Sequence, residues 1–165
     1  MNGPRAQLRN LTVVGILLAT VACGGTTAST PATAAPTSPP SPTAAPFIAT
    51  RVAGVAGVTR TIFTDLTGNS LYYETNDVGG KILCTGACAG IWPPLIAPGG
   101  LTTLPSVFAI PGKFGTAQNP EGKNQITYNG WPLYAFSKDK APGDTTGEGV
   151  AGRWHVASTD LMPAA

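Results

Sequence analysis

Cys84-Thr-Gly-Ala-Cys88 in mid-chain and His155 near its end are the side chains of this sequence most capable of soft-metal or electron chemistry. A Cys-x-x-x-Cys pair either closes a small disulfide loop or offers two thiolates, and thiolates together with an imidazole suit copper. The disulfide is the first reading. Copper binding or thiol redox chemistry through Cys84, Cys88 and His155 is the alternative. Gly86, Ala87 and Ala89 leave the pair uncrowded, but the segment Cys84 to Leu95 contains no Lys or Arg to lower a thiol pKa. Other chemistries lack their residues. There is no Gly-x-Ser-x-Gly elbow, and the single histidine sits beside a tryptophan, where a structural role is the common one. Cys-x-x-Cys-His, needed for covalent haem, is absent. GDTTGEG, Gly143 to Gly149, lacks the lysine of a phosphate-binding loop. Asp77, Asp139, Asp144 and Glu148 are not spaced as a hydrolytic pair, and too few carboxylates gather at Asp139 to Asp144 for a calcium loop. No enzyme, no cofactor and no metal are expected outside the copper alternative.

The compartment decides between those cysteine readings, and the N-terminus speaks to it. MNGPRAQLRN carries Arg5 and Arg9 and runs into the apolar LTVVGILLATVAC, which ends at Cys23. That is an export signal, and its apolar part is shorter than the roughly 20 residues of a membrane-spanning helix. Thr20-Val21-Ala22-Cys23 resembles the lipobox of bacterial lipoproteins, which implies a signal peptide over 1–22 and lipid attachment at Cys23. Conventional cleavage near Ala22, leaving a free thiol, is the alternative. With two acyl chains the anchor is stable, at about 0.8 kcal/mol per buried CH₂. Lipid on Cys23 leaves Cys84 and Cys88 as an even pair in an oxidising compartment.

Export also resolves the charge. The chain has 10 Lys plus Arg against 8 Asp plus Glu, and removing Arg5 and Arg9 leaves eight of each. A neutral mature protein without a basic run is no partner for nucleic acid. The expected partners are the membrane, through the lipid, and an envelope protein or small ligand held by local chemistry.

Residues 23–46 hold Cys23 and GGTTASTPATAAPTSPPSPTAAP, a stretch with no charge and no aromatic ring. It cannot bury enough apolar surface to offset the entropy of ordering, so it reads as a disordered tether with a reach of about 70 Å. The remainder reads as one small domain. Short apolar bursts punctuated by Gly, Pro and Asn-Gly make it mainly β. Ile126-Thr127-Tyr128, Asn129-Gly130 and Leu133-Tyr134-Ala135-Phe136 read as a hairpin. TGACAGIW reads as a short helical turn stopped by Pro93 and Pro94.

A shift of 62 lays Gly68 on Gly130, Leu71 on Leu133, Tyr72 on Tyr134, Asp77 on Asp139, Ala89 on Ala151, Gly90 on Gly152 and Trp92 on Trp154. These seven identities fall within residues 68–92, where chance gives about two. Two tandem repeats of antiparallel hairpins are therefore expected, over 47–108 and 109–165. The tyrosines read as core anchors and the tryptophans as core closers. The aspartates read as turn-fixing residues that bond nearby amides.

Tyr134-Ala-Phe136-Ser-Lys-Asp139 matches Y-x-[FWY]-x-x-D, and CTGACAGIWPPL, QITYNGWPLYAF and APGDTTGEGVAGRW surround it. In these segments the chain resembles a family of bacterial lipoproteins with secreted repeats of unknown function. The resemblance implies an extracytoplasmic address and no particular activity. Tyr72-Tyr73-Glu74 departs from the motif by placing Glu74 where an aromatic is expected.

Overall fold

The computed structural model describes residues 47–102, 104 and 110–164. The signal segment, Cys23, the tether and the repeat boundary near residue 108 lie outside them. Among the described residues no helix is long and apolar enough to cross a membrane.

The fold is mainly β. Strands β1 (Ala49–Val55) and β2 (Val58–Thr64) form an antiparallel hairpin whose Ala56-Gly57 turn has positive φ at both residues. Strand β3 (Tyr72–Glu74) pairs antiparallel with the last strand, β7 (Trp154–Val156). Strands β4 (Phe114–Gln118), β5 (Asn124–Tyr128) and β6 (Trp131–Pro132) form a three-stranded antiparallel sheet. The β5–β6 connection is the expected Asn129-Gly130 turn, with φ of 51° and 87°, the left-handed values this pair accepts. The one α-helix among the described residues, α1 (Ala87–Ile91), occupies the expected helical turn and ends before Pro93.

Backbone contacts between the halves come in pairs. Tyr72 and Tyr134 exchange both of their hydrogen bonds, at 2.8 and 2.9 Å. Ala157 N donates to Leu71 O at 2.8 Å, and Leu95 N donates to Leu133 O at 2.9 Å. Thr75 N donates to Arg153 O, and Ser137 N to Ile91 O, both at 3.0 Å. Residues 153–157 thus pair beside Tyr72, and residues 91–95 beside Tyr134. The returning limb of the β5 hairpin accordingly leaves β5 after Leu133, and Tyr134 bridges to Tyr72 and Pro94 instead.

Two buried clusters result. Phe63, Leu71, Ile126, Tyr128 and Leu133 belong to one, while Tyr72, Trp92, Tyr134, Phe136 and Trp154 form the centre of the other. Trp92 and Trp154 do not each close a separate unit. They lie face to face, with centroids 3.8 Å apart and planes within 2°. Phe136 continues the stack on Trp92 at 4.2 Å and 22°. Gly147 passes so close to the rings that an added Cβ would lie 2.8 Å from both Trp92 and Tyr72, leaving no room for a side chain there.

Candidate functional site

The sequence motif builds the seam between the halves. Tyr72 Oη donates to Asp139 Oδ2 at 2.7 Å, and Tyr134 Oη donates to Asp77 Oδ2 at 2.5 Å. Each aspartate therefore holds the tyrosine of the opposite half. The turn-fixing part of the expectation is also present: Asp77 Oδ1 accepts from Leu83 N at 3.0 Å, and Asp139 Oδ1 from Thr146 N at 3.2 Å and Thr146 Oγ1 at 2.5 Å. Sequence spacing showed the local turns and missed the partner across the fold. Asp77 is fully buried, whereas Asp139 is half-buried. Burial first, then the neighbouring aspartate, drives both phenols well above the ordinary tyrosine range, so they remain donors. Burial likewise raises Asp77.

Cys84 and Cys88 form a disulfide. His155 does not join it. Along β7 side chains alternate between faces, so Trp154 packs into the core while His155 points to the other side. The disulfide lines a small pocket with Trp154, and His155 lines a separate cleft. Among the described residues no group of three or more His, Cys, Asp and Glu is gathered for a metal ion. A cation distant in sequence stands by the cysteines. Arg153 comes from beside β7 to line their pocket, a neighbour 65 positions from Cys88 in the chain.

The cleft containing His155 has a volume of about 420 Å³. One wall is aromatic: Tyr73 lies 5.1 Å from Trp131 and 5.8 Å from His155, centroid to centroid. Tyr73 and His155 are register partners on β3 and β7, which puts them side by side on one face. Trp131 is fixed by its indole N–H, which donates to Met162 O at 2.9 Å. Val55, Val58 and Met162 supply apolar surface across the cleft, and Val58 and Met162 are exposed.

The polar groups of the cleft bond one another. Glu148 binds His155 Nδ1 through Oε1 at 2.8 Å and Val156 N through Oε2 at 2.7 Å. This carboxylate on Nδ1 leaves Nε2 directed elsewhere, and Nε2 has no hydrogen-bond partner among the described residues. Arg60 pairs with Asp160 at 2.7 Å, and Ser158 Oγ donates to Asp160 Oδ1. Burial, then the charge of Glu148, raises the Tyr73 phenol above its usual value, so that it too stays protonated. Neither Tyr73 nor Trp131 was singled out from sequence. The available signal was asymmetry, because a shift of 62 sets Tyr73, Trp131, Glu148 and His155 against Ala135, Asn69, Gly86 and Pro93.

No curated protein and no solved structure matches this chain. Residues 115–158, from β4 to just past the end of β7, match the model of one family, described as a secreted repeat of unknown function.

Proposed function

We propose that this protein is two fused copies of that secreted repeat, covering 47–108 and 109–165, and works as a non-enzymatic binding module outside the cytoplasmic membrane, tethered by lipid on Cys23. Its ligand seat is the cleft of Tyr73, Trp131 and His155. The observation that carries this reading is an aromatic wall drawn from both copies, Tyr73 from the first and Trp131 and His155 from the second, at positions where the other copy has Ala135, Asn69 and Pro93. Contacts that recur in pairs serve the fold; surface that occurs once is free to serve a ligand. Half-open concave sites lined by aromatic rings with a few polar groups are the usual form of small-ligand sites.

The ligand class follows from the lining. Polar groups already bonded to one another favour an uncharged molecule, because a charged one would have to break the Arg60–Asp160 ion pair or the Glu148–His155 hydrogen bond. A flat apolar face suits Tyr73 and Trp131, and hydroxyl or amide groups suit His155 Nε2, Ser158 and the rim charges. An uncharged saccharide of the envelope has both.

Titration calorimetry of the mature chain with neutral oligosaccharide fragments of cell-wall glycan tests this. Saturable binding is expected, with a loss of at least about tenfold in affinity for Trp131→Ala, equivalent to about 1.4 kcal/mol. Absence of binding, or binding indifferent to Trp131→Ala, overturns the seat. Incorporation of a labelled fatty acid into the wild type but not into Cys23→Ala checks the anchor.

A further inference from the structure

The ring stack Phe136, Trp92, Trp154 is unfinished at one end. The counterpart of Phe136 is Glu74, so no aromatic at that position continues the stack beyond Trp154. In its place is a pocket of about 80 Å³ lined by Glu74, Leu83, Cys84, Cys88, Arg153 and Trp154. That volume accommodates a water molecule or two. Glu74 is 4% exposed, yet Arg153 Nε reaches its Oε1 at 3.2 Å and Asn76 donates to both of its oxygens, at 3.0 and 3.1 Å. The carboxyl and the disulfide come from the first copy and the arginine from the second, and none of them recurs at the matching position of the other copy. Thr146 and Val150 replace the cysteines there.

We propose that Cys84–Cys88 is an exchange-active disulfide that accepts two electrons from a dithiol, with Glu74 handling the proton and Arg153 supporting the thiolate. Cys88 is half-buried and Cys84 only 6% exposed, so the incoming thiolate attacks the Cys88 sulfur. The Cys84–Cys88 bond breaks, its electron pair goes to Cys84 Sγ, and that sulfur takes a proton from Glu74 across the pocket, directly or through one water. The second thiol of the partner then attacks the mixed disulfide and displaces Cys88 as a thiolate beside Arg153. The partner leaves oxidised, and the protein holds two reduced cysteines. Glu74 recovers its proton from solvent.

Burial, and next the charge of Asp77, push the Glu74 carboxyl up, against the opposing pull of Asn76 and Arg153. The groups facing it are therefore Asp77, itself bonded by Tyr134 from the other half, together with Arg153 and Asn76. Raised above the ordinary glutamate range, this carboxyl is a better-matched proton donor to a departing thiolate than an ordinary glutamate.

The test is reduction of the mature chain by dithiothreitol under native conditions from pH 5 to 8, followed by counting free thiols by maleimide mass shift. Reduction faster than global unfolding, as measured by hydrogen exchange, is expected for the wild type. Glu74→Gln, which preserves shape and removes the proton, slows reduction by about tenfold or more and changes the pH profile. Glu74→Phe, which supplies the missing ring, fills the pocket and slows it as well. Should Glu74→Phe fail to fold, Glu74→Gln decides. Reduction of the wild type only at the unfolding rate, or a Glu74→Gln profile and rate equal to the wild type, overturns the proposal. Either result leaves the glycan reading of the cleft untouched, since the β3–β7 ribbon separates the two cavities.

Discussion

The ring stack at the centre of the molecule ends differently on its two sides. At the Phe136 end an apolar ring caps Trp92, and the nearby Asp139 is half-buried with three donors around it. At the Glu74 end Trp154 meets a carboxyl, an arginine and a disulfide around a cavity, and the nearby Asp77 is fully buried. One end is finished as a core, the other as a polar site. The difference teaches that the motif aromatic is a closing piece: where Phe136 stands the interior is sealed, and where Glu74 stands it is left open to chemistry. Between the ends the contacts are reciprocal, with each tyrosine hydroxyl on the other half's aspartate. Trp92 and Trp154 are buried against each other, so the ends can be perturbed separately but the middle cannot.

The sharpest way to break the comparison is to remove its shared centre. Trp92→Ala should destabilise the domain by about 3–5 kcal/mol, the usual cost of truncating a buried large aromatic. Trp154→Ala should cost less, because Trp154 already borders a cavity that can relax, while Trp92 is covered by rings on both faces. Urea denaturation of both variants measures the difference. Equal losses would mean that the Glu74 end is packed as tightly as the Phe136 end.

A smaller effect separates the two aspartates. Tyr134→Phe takes the phenol donor from buried Asp77 and leaves it Leu83 N and the neighbouring Glu74 carboxyl, which should cost about 1–3 kcal/mol, the penalty for an under-satisfied buried polar group. Tyr72→Phe leaves Asp139 with Thr146 N and Thr146 Oγ1 and access to water, and Gly147 N loses only a long acceptor, at 3.3 Å, so its cost should be the smaller, about 1 kcal/mol. The double variant should exceed the sum, since both bonds clamp one seam. Reversal of the order in a denaturant titration would overturn the assignment of Asp77 as the more dependent partner.

Much of this architecture was legible because it is local. The Asn129-Gly130 turn, helix α1 with its proline stop and the small disulfide loop each follow from adjacent residues whose backbone or covalent preferences decide the outcome. The internal alignment also marked the right core residues, Tyr72, Trp92, Tyr134 and Trp154. What it could not give was the partner of each. Tyr72 lies 67 positions from Asp139, and Arg153 lies 65 from Cys88, so these contacts exist only after the halves have exchanged segments. The cleft was hidden for another reason. Tyr73 and Trp131 sit beside conspicuous repeated residues but do not repeat, and a search for periodicity passes over what occurs once.

The finest test of the two ends is a slope rather than a loss. Glu74 has an ordinary value of 4.5 and Asp77 one of 3.8, and in the fold both are raised, by burial first. Between the ordinary and the raised values the native state keeps protons that the unfolded chain has released, so these two groups stabilise the fold most at low pH and lose that contribution as pH rises through the folded values. Asp65 and Asp160 are lowered, chiefly by hydrogen bonds overcoming desolvation at Asp65 and by Ser158 at Asp160. Their contribution runs the other way, growing as pH rises toward 3.8 and above. Both stay in place in Glu74→Gln, which isolates the Glu74 end. Stability of the variant, followed by thermal denaturation from pH 4 upward, should fall less with pH than that of the wild type above 4.5, and the two curves should run parallel once Glu74 is ionised in both states. Curves parallel throughout would mean that Arg153 holds Glu74 charged in the fold. The open end of the stack would then be an ion pair beside a disulfide, with no proton to give.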